Sequence, residues 1–411
     1  MEWKEVRLGD IVSIKSGLAY KGAFIGKGEN ILLGMGCVSF KDKFLFSGAR
    51  PYEADCDDKY CVEPGDIVLA TRQQSDNLPI LAMPAIIPSS LKAKKIIYGT
   101  NLYKVENHSE VTNDFLFWQL KTPDYIDYIS SVKTGSVVRM VTKKNVEDYV
   151  FRCPPKEVRD RISKLLWGLD RKIELNNKIN ADLEEMAQAI FKNWFVDFKP
   201  FKDGKFVDSE LGMIPEGWRV GRLDEIADVV GGSTPSKAKP EYYTQKGVAW
   251  LTPKDLSNHP AVYSSRGEID ITEEGYNSTS TKLMPKGTVL FTSRAPIGYI
   301  SIAQNDICTN QGFKSLVPKK AGTCFLYCFL KYVTPEIENK STGSTFKEAS
   351  GSLMKSLQVI IPEQKDFEKF EAIVSPLFAR IESLEKENSR LSLLRDTLLP
   401  RLMSGELEVP E

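Results

Sequence analysis

The sequence predicts a two-lobed α/β (α+β) protein in which two similar globular domains alternate with two long helices. Three observations lead there. The chain begins a second time near its middle. Each beginning is followed by short apolar strands punctuated by glycine. Each half then closes on about forty residues of heptad periodicity.

The duplication is visible at both starts. "EWKEVRLGDIVSIKSG" and "EGWRVGRLDEIADVVGG" share a skeleton, with Trp3, Leu8, Ile11 and Gly17 returning in the same spacing as Trp218, Leu223, Ile226 and Gly232. Further along, "PGDIVLATR" (64–72) matches "PKGTVLFTSR" (285–294), each a glycine turn, a β-rich strand and a polar segment ending in Arg72 or Arg294. Thr100-Asn101 aligns with Thr309-Asn310, and "KTGSVV" with "STGSTF". "DFLFWQLK" and "CFLYCFLK" read as buried helices. Two copies of one domain explain this pattern better than a solenoid of many units.

After "CPP" (153–155) and "IPE" (361–363) the period changes from strand to helix. Ile162, Leu169, Asn176, Leu183 and Ile190 form one seam, with Leu166, Ile173, Asn180, Ala187 and Trp194 beside it. Phe370, Leu377, Leu384, Leu391 and Leu398 form the counterpart, with Val374, Ile381, Asn388, Arg395 and Leu402 beside it. Apolar residues every seven positions mark helices that pair. Asn180 and Asn388 fall on corresponding core positions near the middle of each helix, so an antiparallel pair would bring them together and fix register; the alternative is that both drift to solvent. The expected division is a globular domain over 1–155, a helix over 156–200, a linker over 201–214, a second domain over 215–362 and a second helix over 363–405. Two copies tied by antiparallel helices would be related by an approximate two-fold axis and held at a fixed separation. Two diverged readers so arranged suit an asymmetric, two-part DNA site.

Composition narrows the class. The chain has 411 residues, 42% hydrophobic and 27% charged, with 55 basic and 55 acidic side chains, so bulk charge gives no nucleic-acid footprint. Seven scattered cysteines argue against a disulfide framework, no apolar run is long enough to span a bilayer, and the start is too polar for a signal peptide; a cytoplasmic protein is expected. Catalytic signatures are missing. There is no phosphate-cradling G-x-x-x-x-G-K-[ST] loop, and "GMG" (34–36) lacks the third glycine of a dinucleotide fingerprint. His108 and His259 sit in turn-like stretches, and Cys56/Cys61 and Cys324/Cys328 each offer half a zinc site at most. No catalytic and no metal-ligating residue is expected.

The order of several strings resembles one family across essentially the whole chain. "LGMIPEGW" (211–218), "GGSTPSKAKPEYY" (231–243), "WLTPKDL" (250–256), "TSRAPIG" (292–298), "TNQGF" (309–313), "NWFVDFKP" (193–200) and "LLPRLMSGELEV" (398–409) are similar to those of specificity subunits of type I restriction–modification systems. The resemblance implies two target-recognition domains reading the halves of a split sequence in double-stranded DNA. It also implies docking of modification (methyltransferase) subunits and, through the complex, of restriction subunits. The chain itself would bind no cofactor; its partners would use S-adenosylmethionine, ATP and Mg2+. A stand-alone DNA-modifying enzyme and a coiled-coil protein scaffold without DNA readout are the rival readings.

Residues able to read DNA should be polar or cationic, on loops, and repeated in both halves. In the first half these are Arg72, Gln73, Gln74, the cluster Lys92, Lys94 and Lys95, and Arg139, Lys143 and Lys144 after the Gly-Ser loop. The second half offers Ser293, Arg294, Asn310, Gln311 and Lys347. Thr100 and Thr309, with Asn101 and Asn310, are also suited to capping turns, and Arg72 and Arg294 equally to salt bridges beneath their loops.

Overall fold

The computed structural model describes residues 3–74, 79–342 and 347–409. The chain divides into two compact units, residues 1–172 with 390–411, and residues 173–389. Both long helices pass through both units, so each unit holds one globular lobe and a part of each helix. No described helix is long and apolar enough to cross a membrane.

In the first unit, strand Lys4–Arg7 pairs antiparallel with Val150–Cys153, the strand that leads into the first long helix. A turn at Leu8–Asp10 then delivers the chain to a four-stranded sheet ordered Val12–Ser16, Leu102–Asn107, Ile67–Ala70, Pro84–Ile86. A second four-stranded sheet is built on Ile25–Leu33 and Ile96–Tyr98. Helices Asn113–Gln119 and Pro123–Val132 cover the first sheet. Thr112 and Thr122 start them, each accepting a backbone N–H through its hydroxyl. Leu8, Ile67, Phe115, Trp118, Tyr125 and Tyr149 form the core with Ile162 and Leu166 of the first long helix and Leu399 and Leu402 of the second.

The second unit repeats this plan. Arg219–Arg222 pairs antiparallel with Gln358–Ile361, and a turn at Leu223–Glu225 leads to a five-stranded sheet. Its order is Ala227–Gly231, Lys314–Pro318, Val289–Ser293, Ile297–Ala303, Tyr263–Ser264. The stretch "CFLYCFLK" lies in helix Thr323–Lys340, where Cys324 and Cys328 are buried in the core. Phe191, Phe195, Phe325, Phe367 and Phe370 interlock edge to face at the base of this lobe, with Trp218 tilted against Phe195.

In both units the long helices run antiparallel. Arg395 Nη1 meets Asp170 Oδ1 at 2.5 Å in the first, while in the second Asn176 meets Asn388 and Phe191 meets Phe370. The expected partner of Asn388 is corrected by one turn. Asn388 Oδ1 accepts from Asn176 Nδ2 at 2.9 Å, and its Nδ2 donates to Asn177 Oδ1 at 2.7 Å. Asn180 is buried with an unpartnered Oδ1. Heptads define which face is buried but not the axial offset of two facing helices, which here depends also on contacts to the lobes.

The first long helix spans Lys156–Phe195 and stops short of the expected residue 200. The N–H groups of Val196 and Asp197 both turn back to Lys192 O, Phe198 is left-handed with φ 50°, and Pro200 has no N–H to continue the ladder. Phe206–Val207, inside the expected linker, pairs with Ile214–Pro215, which straddles its expected end. The second long helix spans Gln364–Met403 rather than 363–405, and Gly405 closes it with φ 78°.

Candidate nucleic-acid interface

The chain enters each main sheet at Val12 or Ala227, and the candidate loops gather at the other end of the same strands, except the cluster Lys92, Lys94 and Lys95, which precedes Ile96 in the other sheet of the first lobe and lies beside Glu29 and Asp55. In the first lobe the gathered loops are the segments after Ser16 and after Ala70, and the one before Leu102. In the second they follow Gly231 and Ser293 and precede Lys314. Gly17 is needed because a Cβ there would strike the Gly99 carbonyl, and Gly232 because it would strike those of Thr309 and Asn310. The glycine repeated in the sequence therefore marks the same close backbone approach in both lobes.

The backbone frames around Arg72 and Arg294 share their cross-links to the neighbouring segments. Thr71 N donates to Asn101 O at 3.0 Å, and Ser293 N to Gly312 O at 2.7 Å. Val141 N donates to Thr71 O at 3.3 Å, and Ala349 N to Ser293 O at 2.9 Å. The Gly-Ser loops close on the bridges Thr134–Met140 and Thr342–Glu348. Arg72 and Arg294 thus occupy one position in two copies. Asn101 and Asn310 do not, although the shared Thr-Asn aligns them in sequence. Gly312 takes the place of Asn101, because the second loop is longer and the ladder, not the letter, sets equivalence.

The structure separates the candidates that face solvent from those that do not. Gln74, Lys92, Lys94, Lys143, Lys144, Gln311 and Lys347 are exposed, and Arg72, Arg139, Arg294 and Asn310 are half-buried. Arg139 Nη1 donates to Gly135 O at 2.5 Å, and Lys347 Nζ to Glu338 O at 3.3 Å. Gln311 accepts from the Thr234 hydroxyl, and Asn310 Oδ1 accepts from Gly312 N at 2.8 Å, an Asx turn.

Three candidates are corrected. Gln73 is buried and accepts Leu81 N at 3.3 Å, so it holds its own loop. Ser293 is fully buried and donates to Gly312 O at 3.1 Å. Lys95 lies between Asp55 at 2.9 Å and Asp58 at 3.0 Å and also donates to Cys56 O, and hydrogen bonds to those carboxylates hold its ammonium well above the usual range. A polar residue after an apolar strand does not reveal which way it points; the fold decides.

Two residues at this end were not singled out from sequence. Arg294 Nη1 lies 3.4 Å from Glu348 Oε2, and Lys314 Nζ lies 3.4 Å from Glu348 Oε1. The first lobe has Met140 and Tyr103 at the corresponding positions, so its Arg72 has no ion pair among the described residues, and its Nε is buried without a partner. A search for polar residues on the repeated loops passes over an acid that pairs with one of them and a lysine at the start of the neighbouring strand.

Among the described residues no group of three or more histidine, cysteine or acidic side chains could hold a metal. Cys56 and Cys61 approach to 3.9 Å as free thiols, and burial pushes the Cys56 thiol up to about 12.

A sequence model described as the type I restriction modification DNA specificity domain matches residues 1–185 and again 215–393. The type I restriction enzyme HindI specificity subunit of Haemophilus influenzae is 26% identical over 99% of this chain and 100% of its own length. The MjaIX specificity subunit of Methanocaldococcus jannaschii is 40% identical over 190 residues, 46% of this chain and 44% of that relative. The crystal structure of the type I restriction-modification S subunit from M. genitalium shares the fold, with TM-score 0.56 and 17% identity over 98% of this chain and 96% of that one.

Proposed function

The chain belongs to the type I restriction–modification DNA specificity family, and from that membership we propose that it is the non-catalytic subunit that selects DNA for such a complex. Each lobe reads one half of an asymmetric, two-part site in double-stranded DNA. The chain docks modification subunits, which methylate adenine with S-adenosylmethionine, and through the complex the ATP- and Mg2+-dependent restriction subunits; it holds none of these cofactors itself. The exposed neighbours Leu393 and Leu394 on the second long helix favour docking there, since solvated apolar side chains in adjacent positions are suited to a protein partner.

The observation that carries the reading is the duplicated loop frame. Two lobes place an arginine at the same backbone position, beside side chains that differ. Such a frame provides one type of contact twice with different preferences, as two unlike half-sites require. Arginine suits the task because its planar fork matches the O6 and N7 edge of guanine. Arg72→Ala should disturb preference in one half-site and Arg294→Ala in the other, as read by sequencing methylated adenines in cells carrying the assembled complex. A change in both halves from either substitution would remove the assignment of one lobe to one half.

A further inference from the structure

We propose that Glu348 is a specificity-positioning residue, which holds Arg294 in the pose that reads a guanine in the half-site of the second lobe. The proposal rests on the reading of these loops as DNA-facing and adds the residue that sets how strictly one lobe reads.

Glu348 closes the Thr342–Glu348 bridge, and the next residue, Ala349, donates its N–H to Ser293 O at 2.9 Å, so the Glu348 backbone is held beside Arg294. Its two carboxylate oxygens are divided between two cations, Oε2 towards Arg294 Nη1 and Oε1 towards Lys314 Nζ, each at 3.4 Å. Lys314 is the more buried of the cations, with its side chain 17% exposed against 35% for Arg294. The lysine therefore approaches the carboxylate from the more buried side, and the carboxylate, 39% exposed, lies level with the guanidinium it pairs with. Only one nitrogen of the guanidinium faces the acid, which leaves donors for a bidentate contact with a base edge.

An arginine free to rotate has many poses in which it can neutralise a phosphate and few in which it can read a base. Fixing it beforehand favours the second use, because the ordering cost is met before DNA arrives. The first lobe supplies the natural comparison. Its frame is the same, but Met140 occupies the position of Glu348 and Tyr103 that of Lys314, and the Tyr103 hydroxyl instead donates to Val141 O at 3.2 Å. Arg72 thus meets its half-site without a carboxylate guide among the described residues.

The test uses the full chain co-expressed with its modification subunits, with methylated adenines mapped across the host DNA. Glu348→Met, which installs the residue of the first lobe, should relax the requirement at one base pair of one half-site by about tenfold, with the other half unchanged. Glu348→Asp, which keeps the carboxylate, should retain most of that requirement, and Arg294→Ala should abolish it. An unchanged motif with Glu348→Met, beside a changed one with Arg294→Ala, overturns the positioning role and leaves DNA reading by Arg294 standing. An unchanged motif with both removes the DNA-facing assignment of this loop as well. A uniform fall in methylation with the motif preserved, or a change in both halves, makes Glu348 a purely structural residue and also overturns the proposal.

Discussion

The side chain with the clearest response to pH is Glu385 on the second long helix. Its carboxylate accepts the N–H groups of Val262 at 2.7 Å and Tyr263 at 3.0 Å, tying helix to lobe within the second unit. Burial, reinforced by the nearby Glu184 and Glu382, raises its pKa from 4.5 to about 7 despite those bonds. A carboxyl with a raised folded pKa favours the native state while protonated, so its contribution is complete below about pH 4.5 and is lost as pH rises through 7. Relative to Glu385→Gln, which cannot ionise, the wild-type chain should lose on the order of 2 kcal/mol of stability between pH 4.5 and 8. Urea unfolding of both chains across that range checks this; a constant difference contradicts it. At this scale the sequence was partly legible. The equivalence of Arg72 and Arg294 showed because the strand beneath them is duplicated without insertion. Gln73 and Ser293 were misread because polarity alone does not distinguish a loop-tying side chain from a presented one, and Glu348 escaped because its effect passes through a cation.

At the scale of elements, the two lobes reach the same helices by different chemistry. In the first unit Asp170 and Arg395, both largely buried, form an ion pair that Lys43 joins from the lobe at 3.3 Å. In the second, Glu371 of the long helix accepts from the N–H of Phe325 at 2.8 Å and of Cys324 at 3.3 Å. It thereby caps helix Thr323–Lys340, whose own first residue before the helix is Gly322. A side chain at Gly322 would collide with that carboxylate. Removing one member of a buried pair leaves a charge without its partner, so Arg395→Ala should cost about 3 kcal/mol in chemical denaturation; a cost below about 1 kcal/mol would show that Lys43 alone suffices. Heptad spacing made both helices and their buried faces legible from sequence. Their ends were less so, because Phe195 is followed by residues whose helical propensity is ordinary until Phe198 turns left-handed. The axial offset was not legible either. The Asn388 amide could have met any turn of its partner, and it meets Asn176 and Asn177.

At the scale of the whole molecule, a single chain carries the same recognition frame twice, in lobes whose loops have diverged. That repetition was the most legible feature of the sequence, since Trp, Leu, Ile and Gly return in the same spacing for structural reasons that both copies share. What each lobe reads was not legible, because the candidate loops are where the copies differ in length and charge. Membership of the specificity family and the paired frames together lead to one central claim, that each lobe reads its own half of a split site. Sequencing the methylated adenines in DNA from cells carrying the wild-type complex tests it most directly. The account predicts one asymmetric motif, two dissimilar defined segments separated by a spacer of fixed length and unrestricted sequence. A continuous motif, or a palindrome with identical halves, would contradict it.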